Sequence, residues 1–148
     1  MSYSIKVNNF DKIIKGLGKS KSIVKQEMGN AIIKSSLLAK REAKKAAPVK
    51  TGNLQKSIKT FKRGSFTAGA KAFAEYAGFV EFGTKPHTIK TRTKNVLASK
   101  TQVFGKQVYH PGTRANPFMG RTFKKILPKV DKIFDKSAKK IAKKYLGK

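Results

Sequence analysis

From about Ser20 to Ala46 an apolar or small residue returns every three or four positions, and this stripe constrains the fold more than any other feature of the sequence. Val24, Met28, Ala31, Ser35, Leu38 and Glu42 share one face, flanked by Ile32 and Ala39, which is the period of an amphipathic helix with one polar and one acidic member. Lys40, Arg41, Lys44 and Lys45 occupy its last turns, where cations complement the negative end of the helix dipole. Pro48 stops it, because the residue before a proline is pushed out of helical geometry. Ahead of this helix, Ser4 to Val7 reads as a short extended piece. Asn9-Phe10-Asp11 reads as the capped start of a brief helix that Gly16 and Gly18 interrupt.

A second long helix follows from Asn116-Pro117, with asparagine as cap and proline at the first helical position. Pro128 is expected to kink or divide it. Beyond that point Val130, Ile133, Phe134, Ser137, Ile141 and Tyr145, with Ala138 beside them, line one face, and lysines fill the rest. Such a cationic amphipathic helix has the build of a membrane-surface peptide, but a helix laying one face on its own domain with a solvated lysine face is the preferred reading.

Between the helices the periodicity changes. Thr51 to Ile58 reads as a turn with one helical turn, and Ser57 to Lys62 as a strand. Arg63-Gly64-Ser65 is a hairpin connection, and Phe66 to Ala74 the returning strand, with Phe66, Ala68, Ala70, Ala72 and Ala74 on one side. Residues 83–107 carry Lys85, Lys90, Arg92, Lys94, Lys100 and Lys106, no acid and few large apolar groups. Ile89, Val96, Leu97, Val103 and Phe104 give short strands of a projecting hairpin that buries little and is mobile in an isolated subunit. The fold class is α+β. A small, mostly antiparallel sheet from the middle third is packed by the long N-terminal helix and the C-terminal helical segment, 117–146, in one domain over 1–148.

Glu75-Tyr76-Ala77-Gly78-Phe79-Val80-Glu81-Phe82-Gly83-Thr84 is the least basic and most apolar window. As a strand it puts Tyr76, Gly78, Val80 and Phe82 on one face; as a helix it stripes Tyr76, Phe79, Val80 and Gly83, and periodicity does not choose between the two. Phe82 and Phe118 are expected in the core, and Gly83 and Gly112 at backbone angles closed to side chains.

Charge narrows the function. Against 35 Lys+Arg stand 7 Asp+Glu, a formal net charge of +28, so a compact monomer repels itself and an anionic neighbour is expected. Cysteine is absent, which leaves no disulfide framework and no thiolate metal site. His87 and His110 alone are too few for zinc, and nothing in the sequence sets Glu75 or Glu81 beside them. Those two acids lie six apart and do not make an acid–base pair; Glu81 fits a salt bridge or an accepted backbone hydrogen bond, within or between subunits. There is no G-x-S-x-G elbow and no phosphate-binding loop, so no enzymatic activity, cofactor or metal is expected. Nor is there a recognition helix or aromatic strand signature, so any DNA contact would be to phosphates without sequence preference. No run approaches a membrane-spanning length, and the N-terminus lacks the apolar core of a signal peptide.

Three motifs stand in order: A-P-V-x-T-G-x-L-x-x-S-I from Ala47 to Ile58, Y-A-x-x-V-E-F-G-T from Tyr76 to Thr84, and P-G-T-x-x-x-P-F-M from Pro111 to Met119. Together they resemble the tail-completion and neck proteins that join head to tail in long-tailed bacteriophages, over about Lys44 to Phe123. The resemblance carries an architectural role to Pro48, Thr51, Gly52, Leu54 and Ile58, to Tyr76, Ala77, Glu81, Phe82, Gly83 and Thr84, and to Pro111, Gly112, Pro117 and Phe118. It implies a virion structural protein, assembled in the host cytoplasm as a ring of about six or twelve copies. Its partners would be a connector or stopper and a tail terminator or tube. Lys85, Lys90, Arg92, Lys94, Lys100 and Lys106 would meet acidic partners or passing DNA. The alternative is a non-specific, DNA-compacting basic protein, which explains the charge but not the ordered glycine and proline motifs. Membrane disruption by the last helix is a third reading, ranked behind both.

Overall fold

The structure is a computed structural model, and it describes residues 1–6, 21–91, 97–98, 101 and 103–146. These fall into two compact units, Met1–Ala77 with Phe118–Lys148, and Gly78–Pro117. The expected short helix after Asn9 lies outside the described residues.

In the first unit, helix α1 (Lys21–Ala46) buries Val24, Ala31, Ile32, Ser35, Ser36, Ala39 and Ala43; of the stripe read from the sequence, Met28, Leu38 and Glu42 are only half-buried, and Ser36 and Ala43 are added to it. It packs on helix α4 (Phe118–Leu146) and on a three-stranded antiparallel sheet in the order β1 (Ser2–Lys6), β3 (Thr67–Ala72), β2 (Ile58–Lys62). The central strand buries Ala68, Ala70 and Ala72, small side chains that let a helix lie close. The turn between β2 and β3 closes with Arg63 N–H donating to the Thr67 carbonyl at 2.8 Å. Strand β1, far off in sequence, pairs with β3 at Ser4↔Gly69. Gly69 is needed there, since a Cβ would overlap the Tyr3 carbonyl oxygen. Phe118, Met119, Ile126, Ile32 and Ile58 complete the core, and Tyr3 stacks on Phe123 with ring centroids 4.6 Å apart.

Helix α4 is not divided at Pro128, contrary to one of the two outcomes the sequence allowed. Proline removes the N–H that would bond the Lys124 carbonyl, but both residues are exposed, so the freed carbonyl need not be buried without a partner. Farther along, Val130 and Ser137 are buried and Ile133, Phe134 and Ile141 half-buried as the stripe requires, but Ala138 is exposed. Phe66 and Ile141 pack against Val24. None of the described helices is long and apolar enough to cross a membrane.

The second unit is built from hydrogen-bond ladders. Helix α3 (Ala77–Phe82) opens it; β4 (His87–Lys90) pairs antiparallel with β7 (Gln107–His110), and β5 (Leu97–Ala98) with β6 (Val103–Gly105). Between Gly78 and Pro117 the only described residue that is buried is Glu81, so the described residues of this unit form no apolar core of their own.

Candidate functional site

The first motif forms the corner between α1 and β2. Ala47 N–H returns to the Ala43 carbonyl at 3.0 Å, finishing α1, and Pro48 blocks further helix. Gly52 takes a left-handed φ of 76° ahead of the short helix α2 (Asn53–Ser57), whose Gln55 Nε2 donates to the Lys44 carbonyl at 2.9 Å. Leu54 and Ile58 are buried, while Pro48 and Thr51 are exposed. The T-G-x-L spacing therefore serves a turn that drops two apolar anchors into the core.

The second and third motifs meet. Thr84 N–H donates to the Thr113 carbonyl at 2.9 Å, and Thr113 N–H donates back to the Thr84 carbonyl at 3.1 Å. Asn116 N–H reaches the Val80 carbonyl at 2.9 Å, tying the third motif to α3. Each threonine follows a glycine, Gly83 with φ 72° and Gly112 with φ 88°. A Cβ on either glycine would overlap the carbonyl oxygen of the opposite threonine. Two Gly-Thr dipeptides thus clamp each other, and neither tolerates a side chain on its glycine. Pro117 is exposed directly ahead of α4, and Phe118 is fully buried.

Helix α3 decides between the two readings of its window in favour of helix, but turned over. Ala77 and Glu81, four apart, are buried, with Glu81 only 1% exposed. Phe79 at 63% and Phe82 at 70% exposure point outward, and Tyr76 just before the helix is exposed too. Phe82 is therefore not a core residue, correcting the expectation from sequence. A helix under two turns long can bury one narrow face, and here alanine and carboxylate take it. Nothing in the sequence signals this inversion, because hydropathy patterning assumes that aromatics go inward.

Of the six cations expected at a partner or DNA surface, Lys85, Lys90 and Lys106 are exposed on the second unit; Arg92, Lys94 and Lys100 lie outside the described residues. The ladder sets His87 opposite His110, with ring centroids 5.2 Å apart. The His110 Nδ1 accepts the Gly112 N–H at 3.0 Å, and His87 Nδ1 lies 2.9 Å from the Lys85 carbonyl oxygen. Both imidazoles thus support the backbone on either side of the Gly-Thr clamp. Among the described residues no three His, Cys, Asp or Glu gather as metal ligands.

In the first unit a cleft of about 470 Å³ is lined by Glu42, Lys45, Ala46, Arg121, Thr122 and Lys125. Glu42 Oε1 already accepts from Arg41 Nε at 3.3 Å and lies 3.9 Å from Lys45 Nζ, and Thr122 Oγ1 donates to the Phe118 carbonyl at 2.7 Å. The hydroxyl is engaged in its own helix and the carboxylate is matched by cations, so the cleft is an electrostatic lining.

Corners, a clamp and a helix start hold many of the motif positions, with Tyr76 and Phe82 exposed outside them, and the fold is α+β. One family's sequence model, described as "Bacteriophage HK97-gp10, putative tail-component", matches residues 7–83, and the chain belongs to that family. It is a structural component of a phage tail, and so a virion protein. The match spans the first two motifs as far as Gly83; the third lies beyond it. Neither the curated proteins nor the solved structures gave a match.

Proposed function

We propose that this chain completes the tail as one member of an oligomeric ring at the head-to-tail interface, between a connector or stopper and the tail terminator or tube. The observation that carries the reading is the surface left uncovered. The unit Gly78–Pro117 buries no large apolar side chain among its described residues, yet displays Phe79, Phe82, Val103, Phe104 and Tyr109. Single exposed apolar residues are ordinary, but this many on one unit call for neighbours, the connector, terminator or tube proteins as well as sister copies. Heterologous contacts between copies close into a ring when the rotation between them divides a full turn. Family membership supports the tail, and the motif resemblance supports the neck.

The test is the mass of the purified protein, alone and with the neighbouring connector, together with particles made without it. A closed ring of defined mass, and heads and tails left unjoined in its absence, are expected. Joined, infectious particles lacking the chain would refute the reading.

A second reading has its own observation: α4 presents Lys124, Lys125, Lys129, Lys132, Lys136, Lys139, Lys140, Lys143 and Lys144 to solvent. Counterion release makes such a face bind phosphate backbones without sequence preference. Nanomolar duplex binding by an isolated monomer, falling steeply with salt, would favour DNA compaction. In a ring these lysines serve best facing outward or toward acidic partners, since a channel lined by them would hold the passing DNA back.

A further inference from the structure

We propose that the outward face of α3, centred on Phe79 and Phe82, docks an acidic protein partner that presents apolar side chains to it, and that it does not dock a sister copy. The proposal rests on the reading of the chain as an assembly component, and it names the chemistry of the partner for this one face.

Two observations combine. The first is the inverted helix: Phe79 and Phe82 are three apart on the exposed side, with Ala77 and Glu81 buried behind them. An aromatic pair on a helix, backed by a buried side chain, is held in place by the helix and offers contact area at little cost in side-chain entropy. The second is the charge of the unit that carries it, with Glu75, just ahead of the helix, the one exposed acid described near it in sequence. Glu81 is the only acid between Gly78 and Pro117, and it is buried, so it cannot meet a cation from outside. The exposed charges described on that unit, Lys85, Lys90, Lys106 and Arg114, are all positive.

A second copy docking here brings the same cations to the same place. A different patch of a copy serves no better, because the exposed acids among the described residues are Glu75, Asp131 and Asp135. The two aspartates share their stretch of α4 with exposed Lys129, Lys132 and Lys136, so no acidic patch awaits the unit. Like charges set against each other raise the cost of a contact, whereas an acidic surface is drawn in and oriented. Apolar contact then supplies the hold, and charge supplies the choice of partner. Sister contacts in a ring lie on other faces.

The experiment uses the full chain and three labelled peptides of equal length: an amphipathic Leu/Glu helix, the same peptide with Gln for Glu, and a Glu/Ser peptide without leucine. Binding is read by fluorescence anisotropy at about 50 and about 300 mM NaCl, a range over which the screening length falls by a factor of about 2.4. The Leu/Glu peptide is expected to bind most tightly, to weaken with salt, and to lose about tenfold or more in the Phe79→Ser/Phe82→Ser variant. Phe73→Ser, which removes an exposed ring from the other unit, is expected to leave binding unchanged. Because all three rings are exposed, circular dichroism should report unaltered folding in both variants.

If the Glu/Ser peptide binds as well as the Leu/Glu peptide, or the double variant binds like the parent, charge alone is at work and the proposal fails. Self-association of the parent that disappears in the double variant would also overturn it, in favour of a sister copy. A protein that forms its ring but ignores the Leu/Glu peptide refutes this inference and leaves the proposed function standing. Particles that join head to tail without the chain refute the proposed function whatever the peptides do.

Discussion

Replacing Gly83 or Gly112 by alanine tests whether the two Gly-Thr dipeptides form a clamp. Both glycines have positive φ, 72° and 88°, which alone costs an alanine about 1–2 kcal/mol. Space adds a second cost. At Gly83 the new Cβ overlaps the Thr113 carbonyl oxygen and comes within 2.8 Å of the Ala115 nitrogen. At Gly112 it overlaps the Thr84 carbonyl oxygen and lies 3.0 Å from the Lys85 carbonyl carbon. These contacts are to backbone, so the two segments must part, and the reciprocal Thr84–Thr113 hydrogen bonds go with them. At about 1 kcal/mol net for each bond, either substitution should cost about 3–4 kcal/mol locally.

Gly64 supplies the control. Its φ is 69°, but a Cβ there meets nothing within 4 Å, so Gly64→Ala should cost only the dihedral term. Because the described residues of the unit Gly78–Pro117 bury no apolar side chain, its opening will register weakly in the melting of the whole chain. Amide hydrogen exchange at Thr84 and Thr113 is the proper readout. Protection there should fall by a hundredfold or more, roughly 3 kcal/mol, or vanish in either clamp variant. At Arg63 and Thr67, beside Gly64, it should fall only about tenfold in the control. The double clamp variant should add no more than the second dihedral cost, since the first substitution has already opened the bridge. Equal losses at Gly64 and Gly83, or fully additive losses at Gly83 and Gly112, would refute the clamp.

Other perturbations bear on the first unit. Phe118→Ala empties a fully buried ring site at the start of α4 and should cost about 3–5 kcal/mol, lowering the melting temperature by on the order of 10 °C in calorimetry. Ser35→Ala should leave stability unchanged or raise it by about 0.5 kcal/mol in urea unfolding, because the buried Ser35 hydroxyl has no partner among the described residues and alanine is the better helix former. Gly69→Ala should release β1 from β3 by forcing the Tyr3 carbonyl away; lost amide protection on Ser2–Lys6, with β2–β3 pairing intact, is the expected exchange pattern.

The two long helices were legible in the sequence because their information is local. The α1 stripe needs only side chains three and four apart, and Pro48 marks its end without reference to anything distant. The β2–β3 hairpin was legible for the same reason. The place of β1 was not, since its pairing with β3 spans the whole of α1 and depends on Gly69, whose role appears only once Tyr3 is beside it. The Gly-Thr clamp shows the limit most clearly. Order and spacing marked both dipeptides, but only the folded backbone reveals that each glycine makes room for the other's threonine. Phe82 was assigned inward because a core is the usual home of an aromatic ring, and a pattern rule has no way to count surface that another molecule will cover.

The same cations that make an acidic partner welcome also determine how copies of this chain meet, and the two effects have opposite signs in salt. Each copy carries a formal +28, and at physiological ionic strength charges within about 8 Å across a contact still feel one another. Closure of the proposed ring would therefore work against repulsion, which added salt relieves, while attraction to an acidic partner or to DNA is weakened by the same salt. Sedimentation velocity on the isolated chain should show larger species gaining ground as NaCl rises from about 50 to about 500 mM, a range that cuts the screening length about threefold. Over that range, binding of the Leu/Glu peptide should fall. An assembly that needs a template follows: the subunit stays apart from its sisters until an acidic neighbour neutralises some of the lysines, and the ring then grows where the tail is to be joined. If self-association and peptide binding both weakened with salt, sister contacts would be held by opposite charges, and lysine excess could not be what keeps free subunits apart.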